Sequence, residues 1–390
     1  MEEKQPVPGI SPLDGILVAD FSRVLAGPLC TMTLADLGAR VIKVERPGTG
    51  DDTRAWGPPF SATGSTYFES VNRNKESVAL DLRDPADLAH ARELALRADV
   101  LVENFMPWVM EKLGLGYEQL QAQNPGLIYA SISGFGSAAG ASLPGYDFIV
   151  QALGGLMSIT GDAAGAPTKA GVALVDVLTA KDATIGILAA LNSRTQTGNG
   201  ARLEVNLLSS LQGALANQGQ AYLGAGMVAG RMGNEHPSIV PYQLLDCADG
   251  QLAVACGNDG QFARLTAELE VPALAADPRF ATNADRVAHR SELIPLLEAA
   301  LAADATANWH RRLRGVGVPA GKVGGIDDGI AYARELGLDP VIEVHDASGA
   351  VVGRQLRHPI SWTPALDAPT KAPPQLGQHT EAVRTWLADG

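Results

Sequence analysis

Short apolar runs alternate with longer amphipathic stretches through the first third of the chain. Gly15–Asp20 (GILVAD) reads as a buried strand, and SRVLAGP leads into a helix that places Pro28 in its first turn and runs to about Leu37. Gly38 ends that helix, and Ala39–Glu45 (ARVIKVE) reads as a second strand, completing a βαβ unit of doubly wound type. Further strands are predicted at Ser77–Leu82 (SVALDL), Asp99–Asn104 (DVLVEN), Leu127–Ile132 (LIYASI) and Ala201–Leu207 (ARLEVNL). Asp84-Pro85 supplies an N-cap and a first helical residue between two of them, and Pro107 opens another helix. Strand followed by helix, repeated, predicts an α/β fold with a mostly parallel sheet covered on both faces. Ligands of such sheets sit at the C-terminal strand ends. Those ends here carry Ser22, Arg46, Arg83, Asn104 and Ser133-Gly134-Phe135-Gly136.

The texture changes after the helix that follows Leu211. GAGMVAGRMGNEHPSIVPYQ is a long loop rich in Gly and Pro that leaves the first domain. Residues 244–256 (LLDCADGQLAVAC) read as a hairpin turning at Asp249-Gly250. Helical patterns and an extended stretch at Gly315–Val323 follow, which puts a smaller α+β domain at about 226–325. The tail adds short strands at VIEVHD and VVGRQLR and a docking arm at APPQLGQH.

Candidate chemistry concentrates between Gly145 and Leu191. Asp176 follows the apolar run Val172–Val175, and helical spacing through Lys181 and Asp182 starts a long helix near it. A carboxylate there is either a helix N-cap or a reactive group held at a helix N-terminus. Gly154-Gly155 and Gly161 allow close backbone approach, and Tyr146 and Asp147 add polar groups. Arg46 ends the second strand, where a basic residue meets a phosphorylated ribose or lies on the solvated surface. Lys181 and Asp182 face solvent or each other.

Composition narrows the classes. At 390 residues the chain is long for one core, so about two domains are expected. A net charge of −13 argues against nucleic acid and against a basic membrane surface. No apolar run approaches ~20 residues, so no membrane span is expected. The N-terminal MEEKQPVPGISP reads as neither a signal nor a transit peptide. The 3 cysteines form neither a disulfide framework nor a CxxC pair, which fits a reducing cytoplasm. The 7 histidines show no metal-ligand spacing, so no metal is expected. GxGxxG, GxSxG, HExxH and the P-loop are absent. Cys30 is a small buried residue or a reactive thiol at a helix start, and His236 a loop histidine or a pocket residue.

Long stretches then carry a resemblance. PLDGILVADFSRVLAGP, LADLGARVIKVERPGTGD, NRNKESVALDLR, ADVLVENFMPWVMEKLGLG, GYDFIVQALGG and GVALVDVLTAKDATIGILAAL resemble class III coenzyme A transferases, a family that also contains α-methylacyl-CoA racemases. GVPAGKV and APPQLGQHT match as well, so nearly the whole chain is covered, most weakly at about 213–235. The resemblance implies a Rossmann-like large domain plus a small domain, with two chains interlocked as a homodimer. The large domain then takes both chain ends, 1–225 with 326–390.

It also implies roles. Asp176 falls on the nucleophilic aspartate, and an ordinary aspartate pKa near ~3.9 keeps it ionised at neutral pH. Arg46 falls on an arginine that contacts the nucleotide part of coenzyme A. Leu25 and Ala26, then Leu80, Asp81, Leu82 and Arg83, then Asn104, Phe105 and Met106, and finally Pro144 to Asp147 with Tyr146, fall on segments lining the coenzyme A site. Lys112 stands where a relative has arginine, keeping the charge without the bidentate fork.

Two departures carry information. The racemases have histidine in GHD, whereas this chain has Tyr146, and a phenol with a pKa near ~10 is a poor base for an α-carbon proton. Formate and oxalate transferases close a run of glycines over the nucleophile. The corresponding region here reads GNEHPSIVPYQ, which supports neither that loop mechanism nor those two acids. The expected activity is transfer of coenzyme A from an acyl-CoA to a free carboxylic acid through an aspartyl-CoA thioester, with coenzyme A as part of the substrate and no tightly bound cofactor. The alternatives are a racemase or epimerase on the same scaffold and a non-catalytic acyl-CoA-binding protein. Arg23, in the loop after the first strand, is a candidate for selecting a dicarboxylic acceptor, with a plain surface role beside it.

Overall fold

A computed structural model describes residues 9–367 and 370–389. Six parallel strands form the main sheet: β1 (Leu17–Asp20), β2 (Arg40–Glu45), β3 (Lys75–Ala79), β4 (Val100–Glu103), β5 (Ile128–Ser133) and β6 (Ala201–Asn206). Their order is β3-β2-β1-β4-β5-β6, the doubly wound order of the Rossmann type. The α/β class and the parallel sheet are as the strand–helix alternation predicts.

The inner strands are mainly apolar because both faces are covered. Val18, Val41, Val100, Val102 and Ile128 pack on one side with the helix Ala26–Asp36 and with Val175, Ala180, Ala183 and Ile187 of the long helix Leu174–Thr197. Leu17, Ala19, Ile42, Leu101 and Tyr129 pack on the other with Leu94 of the helix Pro85–Arg97 and Val383 of the C-terminal helix Thr380–Ala388. Full burial of side chains such as Ile42 or Leu101 stabilises the fold by roughly 1.5–3 kcal/mol each. Asp84 caps the 85–97 helix as expected, its carboxylate accepting the amides of Ala86 and Asp87.

β3 starts two residues before the predicted strand. Lys75 belongs to it although charged, since it is buried against Asp20 at 3.0 Å. Its edge is covered by the tail: the amide of Ser77 donates to His379 Nδ1 at 3.1 Å, and the amide of Ala79 to Thr380 Oγ1 at 3.0 Å. A covered edge offers no template for strand addition.

The direction of winding reverses between β1 and β4, and a crevice opens there beyond the C-terminal strand ends. The loop after β1 lies over a buried ionic network. Lys43 Nζ donates to Ser22 O at 2.7 Å and pairs with Asp51 at 3.0 Å, with both side chains fully buried. Asp51 in turn accepts the amides of Val24 and Thr53. Burial works against the charge of Asp20, but Lys75, Lys43 and the hydroxyls of Ser22 and Thr31 outweigh it and hold its carboxyl at about 2.

The chain divides into two compact units. The first takes the chain up to Leu156, Ala170–Gly226 and everything from Asp339 on; the second takes Met157–Lys169 and Met227–Leu338. The helix Ile326–Glu335 is thus counted with the second unit. That unit contains an antiparallel sheet of β7 (Tyr242–Cys247), β8 (Gly250–Ala255) and β9 (Ala320–Lys322). The predicted hairpin is its β7–β8 pair, and Val254, Phe262, Leu265, Leu297 and Trp309 form its core. β10 (Val341–His345) and β11 (Val351–Leu356) pair as a separate hairpin in the first unit.

Candidate active site

Two cavities open side by side in the first unit. The first, about 470 Å³, is lined among others by Glu45, Arg46, Leu80, Asp81, Leu82 and Arg83. The second, about 290 Å³, is lined among others by Leu25, Ala26, Asn104, Met106, Tyr146 and Asp176. Arg23 and Phe105 line both, so most of the residues singled out in the sequence fall around two adjoining hollows at the switch of the sheet. Lys112 lines neither, although Val109 and Leu113 of the same turn line the first. Asp147 lines neither as well.

In the first cavity the basic residues differ in what they already hold. Arg83 forks onto Asp81 with two bonds of 2.9 Å, and these, with the Arg83 amide, draw the partly exposed Asp81 carboxyl down to about 2. Arg46 is exposed and makes no ion pair among the described residues. It is the freer of the two for a phosphate.

The second cavity owes its shape to glycines. Gly134, after β5, and Gly145 touch so closely that a Cβ on Gly134 would meet Gly145 Cα at 2.4 Å, and the converse contact would be 2.3 Å. Any side chain at either position would push the two segments apart.

Asp176 lies in the first turn of the 174–197 helix, whose N-cap is Ala173, without a capping bond. Asp176 is therefore not the cap. The cap is provided from outside the helix: Asp147 Oδ1 accepts the amides of Val175 at 2.7 Å and of Asp176 at 3.2 Å. Its other oxygen accepts from Gln151 Nε2 at 2.6 Å, and Gln151 Oε1 accepts the Ala170 amide at 2.8 Å. Asp147 thus takes the positive end of the helix, and Asp176 has no hydrogen bond to its carboxylate among the described residues.

Electrostatics follow from that arrangement. Burial, and then the neighbouring charge of Asp147, push the Asp176 carboxyl up to about 7. The expectation of an ordinary aspartate, fully ionised at neutral pH, does not fit this setting, which favours the protonated form. Tyr67 was not singled out in the sequence. Burial and the charges of Asp176, Asp147 and Asp51 push its phenol up to about 12. Tyr67 follows a loop rich in Gly and Pro, and no local pattern connects it to Asp176, far along the chain.

Other candidates resolve simply. Cys30 is buried, and burial pushes its thiol up to about 12, so the small buried residue is the reading that stands. His236 accepts the Ser238 amide on Nδ1 and lies 5.1 Å from the Tyr242 ring, a local turn within the second unit. Lys181 and Asp182 are both exposed. Among the described residues no cluster of three or more His, Cys, Asp or Glu is placed to hold a metal. No described helix is long and apolar enough to cross a membrane.

Known proteins resemble this chain over most of its length. The model of CoA-transferase family III matches residues 13–380. A succinyl-CoA:glutarate CoA-transferase of Mus musculus is 43% identical over 96% of this chain and 86% of its own. An acetyl-CoA:oxalate CoA-transferase of Acetobacter aceti is 43% identical over 82% of this chain and 83% of its own. The crystal structure of a CAIB/BAIF family protein from Brucella suis superposes with a TM-score of 0.86 at 42% identity, covering 97% of this chain and 100% of that one. With a family match that spans the sheet, both cavities and Asp176, the chain belongs to CoA-transferase family III and is a class III acyl-CoA:carboxylate CoA-transferase.

Proposed function

We propose that this enzyme moves coenzyme A from an acyl-CoA to a free carboxylic acid with Asp176 as the covalent carrier. The observation that supports this reading is a half-buried carboxylate with no hydrogen-bond partner of its own among the described residues, at the wall of a cavity next to one fit for the nucleotide end of coenzyme A. Arg46 neutralises phosphate there. Leu25, Ala26, Leu80–Arg83, Asn104–Met106 and Tyr146 line the path of the thioester, and Lys112 adds charge from outside the lining. Asp147 acts from behind by orienting the helix that carries Asp176.

The chemistry needs no ATP, because one thioester breaks as another forms. An Asp176 oxygen attacks the donor thioester carbonyl, and the coenzyme A thiolate leaves, giving a mixed anhydride. The thiolate attacks the aspartyl carbonyl, releases the donor acid and leaves an aspartyl-CoA thioester. The acceptor carboxylate attacks that thioester to form a second anhydride, and the thiolate then attacks the acceptor acyl carbonyl, which frees Asp176. Backbone amides of the nearby glycines or of the helix start are the candidates for stabilising the tetrahedral oxyanions. The amides of Val175 and Asp176 already donate to Asp147, which favours the glycines as donors.

The relatives named for glutarate, with succinyl-CoA as donor, make short dicarboxylic acids the substrate class to expect. Oxalate, which the loop sequence did not favour, returns to the acids worth testing because a relative is named for it. The 1–225 with 326–390 and 226–325 domains, an interlocked homodimer and a cytoplasmic site of action are part of the same reading. A stable, active monomer in size exclusion with light scattering would refute the dimer. The covalent step is tested by incubating the enzyme with succinyl-CoA and hydroxylamine. The expected product is an inactive protein with a hydroxamate at Asp176 in peptide mass spectrometry. A hydroxamate only on another carboxylate, or near-normal turnover by Asp176→Ala, overturns the assignment.

A further inference from the structure

The loop after β1 holds one residue in two opposite ways. The backbone of Arg23 is fixed. Its amide donates to Asn104 Oδ1 at 2.9 Å, and Asn104 Nδ2 donates back to its carbonyl at 2.7 Å. The carbonyl before it, of Ser22, is held by Lys43, and the amide after it, of Val24, by Asp51. Val24 sits at φ +72, a left-handed conformation that a β-branched residue adopts only when its surroundings impose it.

The side chain is held far less. Its nearest carboxylate is Asp52 at 3.7 Å, beyond hydrogen-bond distance, and Asp52 is itself half exposed. The guanidinium stands 5.3 Å from the Phe105 ring. Its Nε is buried without a hydrogen-bond partner. A buried N–H left unmatched is unfavourable until an acceptor arrives.

Location gives that spare capacity a purpose. Among the described residues, Arg23 is the only cation lining the cavity that contains Asp176, and many of the other lining side chains are apolar, such as Leu25, Met106, Ile132, Phe135 and Leu207. A cavity of mixed walls that holds Asp176 and, beside Asp52, one incompletely paired guanidinium suits an acyl group that ends in a second carboxylate. Guanidinium and carboxylate match in a two-bond fork.

We propose that Arg23 binds the far carboxylate of a dicarboxylic acyl group whose other carboxyl reacts at Asp176. Arg23 is then the residue that separates dicarboxylic from monocarboxylic substrates. The inference rests on the reading of this cavity as the acyl site of a CoA-transferase.

The test uses the full-length enzyme and a pair of donors that differ in one carboxylate, succinyl-CoA and butyryl-CoA, with one acceptor. The measured quantity is the ratio of their kcat/KM values. Arg23→Ala is expected to lower that ratio by roughly ten- to a hundredfold, and Arg23→Lys by less, since it keeps charge without the fork. An unchanged ratio overturns the proposal. So does an equal fall on both donors, which assigns Arg23 to coenzyme A itself. Thermal melting shows whether Arg23→Ala is folded, and Arg23→Gln gives the same ratio if it is not. A wild-type enzyme that transfers from butyryl-CoA but from no dicarboxylic acyl-CoA overturns the proposal while leaving CoA transfer standing. Failure of every donor overturns the underlying reading.

Discussion

The carboxylate of Asp147 accepts the backbone amide of Asp176 at 3.2 Å and that of Val175 at 2.7 Å, so one acidic side chain caps the helix on which the other is carried. The two acids divide the site between them. Asp147 has the helix end and two amides; Asp176 has burial and its neighbour's charge.

Asp176 is consequently a destabilising residue above neutral pH. Its folded pKa of about 7 lies above the unfolded value, so the folded state holds the proton more tightly. Stability from this group falls as pH rises from about 4 to about 7, and is level outside that window. Asp176→Asn removes the effect. Urea unfolding should find the variant more stable than wild type at pH 8 by roughly 2–4 kcal/mol, and equal to it near pH 4. Equal stabilities at pH 8 would mean that the carboxylate is well solvated.

Asp147 permits a cleaner separation of charge from shape. Asp147→Asn keeps an oxygen for the two amides but removes the anion, so the acidic limb of the kcat/KM profile, near pH 7 in the wild type, should move to lower pH by about half a unit or more. Asp147→Ala should in addition lose about 0.5–2 kcal/mol of stability as the cap disappears. A limb that stays in place in Asp147→Asn would detach it from Asp147's charge.

The Gly134–Gly145 contact predicts a steric failure. Gly134→Ala and Gly145→Ala should each lower stability by roughly 1–3 kcal/mol and reduce kcat/KM more than stability alone explains, because the displaced segments line the cavity of Asp176. Melting curves and kinetics on the same preparations check this.

Arg46 and Arg83, both lining the first cavity, should not be equivalent. Arg46→Ala is expected to raise the KM for acyl-CoA about tenfold or more, the loss of one charge-assisted phosphate contact. Arg83→Ala should cost less, since its guanidinium is already engaged by Asp81. Steady-state kinetics with varied acyl-CoA at saturating acceptor decides the order.

What could be read from the sequence was what periodicity and local chemistry determine. The inner sheet strands are mainly apolar because both faces are covered, so GILVAD, ARVIKVE and LIYASI announce themselves, and Asp84 caps where Asp-Pro precedes a helical pattern. What escaped depends on partners distant in sequence. Asp147 reaches an amide 28 residues away, and that reach decides whether Asp176 is a cap. Lys43 and Lys75 look like solvent residues in their strands, yet both are buried, matched by Asp51 and Asp20. The shift of β3 by two residues has the same origin. Arg23 was noticed for its position, but its unpartnered Nε is a property of the folded loop alone.

The anchoring of the loop after β1 separates what can vary from what must stay. Its main chain is tied by groups from β2, from the loop that carries Asp51 and from the end of β4, while the Arg23 side chain is bound to almost nothing. Exchanging residue 23 therefore changes the group that reads the acid without rebuilding its support. Exchanging Lys43 or Asp51 singly strands a buried charge and loosens the support itself. Variation at position 23 on a constant Lys43, Asp51 and Asn104 is the shortest route, for selection or for a designed library, by which this scaffold would adopt a new acid while keeping the same thioester exchange.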